Sequence, residues 1–93
     1  MPHHKSAKKR LRQNLKRRLR NRYYAKSTRT AIKKLRRMHD SHAALETYPQ
    51  VQSMIDKLVR RGIIHKNKAA RLKSRLMQHI NKQLQKHHEE VEA

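Results

Sequence analysis

The chain has 93 residues, of which 26 are Lys or Arg and 6 are Asp or Glu, giving a formal charge of +20 with His neutral. One Gly, no Cys, Phe or Trp, and 34% hydrophobic residues bound it to a single small domain with an aliphatic core. They leave no disulfide framework, no zinc-ribbon chemistry and little prospect of a large pocket.

A charge this high opposes compaction unless a polyanion neutralises it. Apolar runs are short, pairs such as Ile63-Ile64 or at most three residues, far short of the roughly 20 residues of a membrane span. No apolar signal-peptide centre follows the basic start, so the chain is expected to be soluble and not exported by that route. Absence of cysteine agrees with a reducing cytosol.

From the first residue to His39 there is no acid, yet sixteen Lys and Arg fall between Lys5 and Arg37. The same stretch lacks Gly and has no Pro after Pro2, so nothing in it breaks a helix. Ser6 is a candidate N-cap. A helix from about Ser6 to Met38 would span roughly 50 Å at ~1.5 Å per residue. Leu11, Leu15 and Leu19 make one narrow stripe on it, whereas Tyr24, Thr28, Ala31, Ile32, Leu35 and Met38 make a second on nearly the opposite side. One straight helix cannot press both stripes against one bundle. Only the second half is expected to pack on the protein's own core.

A second helix is expected after a cap at Asp40 or Ser41, burying Ala44, Val51, Met54, Ile55 and Leu58; Pro49 either kinks it or marks its true first turn. Gly62, following Arg60 and Arg61, reads as the left-handed residue that ends it. A third helix, with Asn67 as candidate cap, carries Ala69, Leu72, Leu76, Ile80 and Leu84 on one face and Lys68, Arg71, Arg75, Lys82 and Lys86 on the other. The segment 87–93, with Glu89, Glu90 and Glu92, is expected to be a flexible tail. The expected fold is all-α, a three-helix bundle over 24–86 with a long, basic, projecting N-terminal helix.

Cations at helix beginnings oppose the macrodipole and cost about 0.3 to 1 kcal/mol each. Lys5, Lys8, Lys9, Arg10, Lys66 and Lys68 are all so placed. A phosphate there would receive amide hydrogens, side-chain charge and the positive end of the dipole together. An ordinary charge run is a solvated face, but an acid-free segment of this length points to nucleic acid or another polyanion. RNA is preferred to DNA because no zinc finger, zipper-extended basic region or helix-turn-helix spacing is present. Six further cations of the first helix, Arg12, Lys16, Arg17, Arg20, Arg22 and Lys26, join the RNA-binding candidates. Charge repulsion and partnerless leucines predict that residues 1–23 become ordered only on RNA.

Tyr23 and Tyr24 could stack on bases, although a mid-helix tyrosine is more often packing, and Tyr48 reads as structural. His3-His4, His39 with His42, and His87-His88 have spacings that could bring imidazoles together, but they lack companion Cys or clustered carboxylates. No metal, cofactor or catalytic set is expected, since no nucleophile, base and orienting group occur together.

The opening His4, Lys5, Ser6, Ala7, Lys8, Lys9, Arg10, the segment Arg29 to Lys34, and the block from Gly62 through Ile63, Ile64, His65, Lys66, Asn67, Lys68, Ala69 and Ala70 to Arg71 occur in one order. With Lys73, Ser74, Arg75 and Leu76 after them, these blocks resemble the bacterial ribosomal protein S-twenty family of the small subunit, from about His4 to Leu84. The resemblance implies three helices, the first lying against small-subunit ribosomal RNA. It also implies a non-catalytic role in holding RNA helices in their assembled arrangement, as a monomer within the cytoplasmic small subunit. Other ribosomal components are open as neighbours. The implied contacts centre on Lys5, Ser6, Lys8, Lys9 and Arg10, on Arg29 and Lys33, and on His65, Lys66, Asn67, Lys68, Arg71 and Arg75. The segment Arg36 to Gln52 and the acidic tail do not follow the family pattern. A general nucleic-acid compacting protein is the second reading, and a membrane-active or organelle-targeted cationic helix a third.

Overall fold

The computed structural model describes residues 4–92, with side chains through residue 86. Three helices, α1 (His4–Arg37), α2 (Ser41–Arg60) and α3 (Lys66–Glu92), fold antiparallel in sequence, with α2 packed between the other two. The expected all-α bundle with a long first helix is what forms. The side chains from 87 onward and residue 93, on which the expected flexible tail falls, lie outside the described residues.

α1 divides where its apolar stripe changes side. Every residue from His4 to Arg20 is exposed, including Leu11 at 70%, Leu15 at 56% and Leu19 at 59%. From Tyr24 on, the second stripe turns inward: Thr28, Ile32 and Leu35 are buried and Ala31 and Met38 pack beside them. The Thr28 hydroxyl donates to the Tyr24 carbonyl at 2.9 Å, which lets a polar side chain sit at the edge of an apolar core. The exposed half makes the molecule long, 75 × 20 × 13 Å, with a radius of gyration of 19.2 Å. A compact chain of this length would have a radius of about 12 Å.

Helix α2 begins at Asp40, whose carboxylate accepts from the His42 amide at 3.0 Å. That resolves the choice between Asp40 and Ser41 in favour of Asp40, while Ser41 is buried. Pro49 lies well inside α2 and does not mark its first turn. It removes the bond to the Leu45 carbonyl, on a face where Leu45 and Pro49 are both exposed. The inner face carries Ala44, Val51, Ile55 and Leu58 as expected, with Met54 half-buried.

Tyr48 joins them, so the core is not purely aliphatic. Its ring is buried, and its hydroxyl donates to the Lys73 carbonyl of α3 at 3.3 Å.

At the end of α2 the backbone closes a Schellman turn: the Gly62 amide donates to Val59 O at 3.0 Å and the Ile63 amide to Leu58 O at 2.9 Å. Gly62 sits at φ 71°, the left-handed residue expected from its place in the sequence.

Helix α3 starts two residues earlier than Asn67 capping requires. His65 is the cap: its Nδ1 accepts the Asn67 amide at 3.1 Å, and its carbonyl accepts the Ala69 amide at 3.1 Å. Ser6 likewise is no cap, because α1 is already helical from His4. Ala69, Leu76 and Ile80 are buried, with Leu72 and Leu84 packed against the core.

The far end of the bundle is closed by side chains of α3 reaching the last carbonyls of α1. His79 Nε2 lies 3.2 Å from Arg36 O, and Gln83 Nε2 donates to Met38 O at 3.4 Å. Terminal helix carbonyls have no intrahelical partner, so these contacts add polar ties between the end of α1 and α3 to the apolar core they share.

Candidate nucleic-acid interface

Each helix contributes its cations by a different route. On the exposed half of α1, Lys5, Lys8, Lys9, Arg10, Arg12, Lys16, Arg17 and Arg20 are all in solvent, and its first turn contains no acid. With no packed face in this half, helical spacing distributes these charges around the cylinder. Ser6 is exposed among them and offers a hydroxyl at the same end.

In the packed half the burial of Thr28, Ile32 and Leu35 forces the cations to one side. Lys26, Arg29 and Lys33 fall opposite the buried stripe and are exposed, as is Arg22 just before it. On α3 the same logic puts Lys68, Arg71 and Arg75 outward, because Ala69, Leu72 and Leu76 face the core. Lys82 and Lys86 continue that outward row.

Among the described side chains the acids lie at the start of α2 or on it. Of the acids with described side chains, Asp40 caps α2, and Asp56 pairs with Lys73 at 2.9 Å, both partly exposed. Only Glu46, on α2, has neither role. Lys73 is therefore held within the bundle, which sets it apart from its outward neighbours Arg71 and Arg75.

The three groups of predicted residues are not gathered into one pocket. They coat the projecting half of α1, the outer side of its packed half, and the start and outer side of α3. The Arg61 guanidinium carbon stands 3.6 Å from the centroid of the Tyr24 ring, which seats the α2–α3 connection beside the point where α1 leaves the bundle. His65, Lys66, Asn67 and Lys68 follow that connection at the start of α3, and all four are exposed.

His65 and Asn67 enter this surface with altered roles. The His65 ring presents its Nδ1 to the first turn of α3, so it shapes the helix start, and Asn67 contributes its amide to that cap while its side chain stays in solvent. Sequence reasoning did not include Arg61 or Lys57 in the basic surface. Both are exposed at the base, and Lys57, Arg61 and Tyr24 line one cleft. Arg61 carried a signal only as a helix-ending cation before Gly62; its pairing with Tyr24 depends on the antiparallel turn between α1 and α2.

Among the described residues, no three His, Asp or Glu side chains come together as a metal site, and His3 and the His87-His88 pair fall outside the described side chains. Among the described residues no helix is long and apolar enough to cross a membrane.

Fold and charge together define a small helical protein with a cationic arm and a cationic bundle base, shaped to lie along a polyanion. Residues 2–81 match the family model for Ribosomal protein S20. The "Small ribosomal subunit protein bS20" of Phocaeicola vulgatus is 57% identical over 82 residues, spanning 88% of this chain and 98% of that protein. The proteins of the same name from Parabacteroides distasonis and Christiangramia forsetii are 54% identical over 81 residues and 56% over 80, each covering 96% of the relative and 87% and 86% of this chain. The chain belongs to the ribosomal protein S20 family.

Proposed function

We propose that this protein is a non-catalytic, structural component of the small ribosomal subunit, which binds small-subunit ribosomal RNA directly and stabilises its folded arrangement during assembly and translation. The observation that carries the reading is the exposed, acid-free basic half of α1, in a member of a ribosomal protein family. The arm is too long and narrow to serve a pocket, but it suits the space between RNA helices, where cations on all sides meet phosphates on all sides.

In this reading Lys5, Ser6, Lys8, Lys9 and Arg10 hold phosphates at the tip of the arm, and Arg12, Lys16, Arg17, Arg20, Arg22 and Lys26 along its length. Arg29 and Lys33 act from the outer side of the packed half, and Lys66, Lys68, Arg71 and Arg75 from α3. Residues 1–23 take their stable helical form on the RNA, whereas 24–86 form the bundle that anchors them. The protein acts as a monomer within the subunit.

The test is binding to small-subunit ribosomal RNA at several salt concentrations, with excess unrelated RNA as competitor and mapping of the protected nucleotides. A discrete footprint that survives competition is expected. Diffuse binding, lost to any competitor and carried wholly by counterion release, would instead make this a general compacting protein.

A further inference from the structure

The structure holds one arrangement of aromatic rings that phosphate neutralisation does not use. Tyr23 is 67% exposed at the point where α1 leaves the bundle. Its ring centroid lies 5.6 Å from that of Tyr24 with the planes at 68°, an edge-to-face contact. Tyr24 is committed on another side by the Arg61 guanidinium, 3.6 Å from its ring. The ring with area left for a ligand is therefore that of Tyr23, and the chain Arg61, Tyr24, Tyr23 restricts its motion before any ligand arrives.

Tyr24, against which the Tyr23 ring rests, lines an open cleft of about 200 Å³ between α1 and α2. Met54 and Leu58 supply apolar wall, Ser27 a hydroxyl, and Lys57 and Arg61 the charge; no carboxylate lines it. Arg20 precedes Tyr23 by three residues and Ser27 follows it by four, which puts both on the same side of α1 as the Tyr23 ring. A planar group bearing a phosphate matches this chemistry point for point: a π-face for the ring, apolar wall beside it, and cations for the anion.

We propose that Tyr23 and the cleft bounded by Lys57 and Arg61 form a binding site for one unpaired ribonucleotide, its base stacked on the Tyr23 ring and its phosphate held by the two cations. The site rests on the RNA-binding reading above and narrows it, because a base in a continuous duplex has no open face to offer. Stacking on an aromatic side chain is sequence-tolerant, so the site selects unpaired structure and not base identity. It adds a shape-reading contact to an interface otherwise built from charge.

The full-length protein tests this. Tyr23→Leu keeps an exposed apolar residue in the helix but removes the π-face, and should weaken binding to small-subunit ribosomal RNA about tenfold with an unchanged salt slope. Tyr23→Phe should bind like the wild type. Tyr23→Trp gives the chain its single tryptophan, whose fluorescence should be quenched by that RNA and not by a fully paired duplex bound to the same extent. Wild-type affinity for Tyr23→Leu, or equal quenching by duplex, would overturn the site while leaving the ribosomal reading intact. If the unsubstituted protein itself gives no footprint that survives competition, the ribosomal reading fails and takes the site with it.

Discussion

Replacing Arg12 by Glu should move folding and binding in opposite directions. Arg12 is exposed on the half of α1 that packs on nothing, so its helix stability is set by local terms alone. Lys8 lies four residues before it and Lys16 four residues after. Each like-charge pair at that spacing costs about 0.2 to 0.5 kcal/mol, and each opposite pair contributes a similar amount. Counting Lys9, three residues before it, Arg12→Glu converts three repulsions into three attractions, with the Glu-before-Lys pair to Lys16 the best oriented, so the local helix should gain about 1.2 to 3 kcal/mol. That gain is largest at low salt, since exposed pairs are screened within about 10 Å at 0.1 M. Hydrogen exchange on the RNA-free protein reads it: amides of residues 5–20 should exchange nearly unprotected in the wild type and measurably slower in the variant. The same substitution should weaken ribosomal RNA binding and lower its salt slope by about 0.7 to 0.9, the loss of one phosphate contact. Strong protection of residues 5–20 in the RNA-free wild type would refute the reasoning, because it would mean that the arm is stabilised by something other than RNA. So would an Arg12→Glu variant that binds more tightly.

The remaining predictions concern the bundle. Leu76→Ala, at a side chain 1% exposed between the helices, should cost about 2 to 5 kcal/mol in denaturant unfolding, whereas Arg71→Ala with Arg75→Ala should leave the unfolding midpoint nearly unchanged and weaken RNA binding. His65→Ala should cost about 1 kcal/mol of stability through loss of the cap on α3, and Asn67→Ala well under that, since Asn67 gives only its backbone amide to the cap. Gly62→Ala should destabilise by about 1 to 2 kcal/mol although a Cβ there would meet nothing within 4 Å, because the cost lies in φ 71° alone. A neutral Gly62→Ala variant in the same unfolding assay would contradict that backbone argument.

Sequence alone determined the features that obey local rules. An acid-free run without helix breakers dictates one long helix; the shift of its apolar stripe near Tyr24 dictates which half packs, as the exposure of Leu11, Leu15 and Leu19 against the burial of Ile32 and Leu35 bears out. The inner faces of α2 and α3 were legible from periodicity, and Gly62 from its place behind two arginines, because each depends on neighbours within a turn or two. The family blocks identified the polyanion. Tertiary structure decided the features that depend on residues distant in sequence. Whether Tyr48 is core or surface turned on the Lys73 carbonyl of α3 being within reach of its hydroxyl. The pairing of Lys73 with Asp56 of α2 also depends on how the two helices pack. The choice of His65 over Asn67 as cap is a matter of which side chain the connecting turn aims at the first amides of α3. Above all, Tyr24 and Arg61 meet only because α2 runs back along α1. Local spacing carries no information about that antiparallel return.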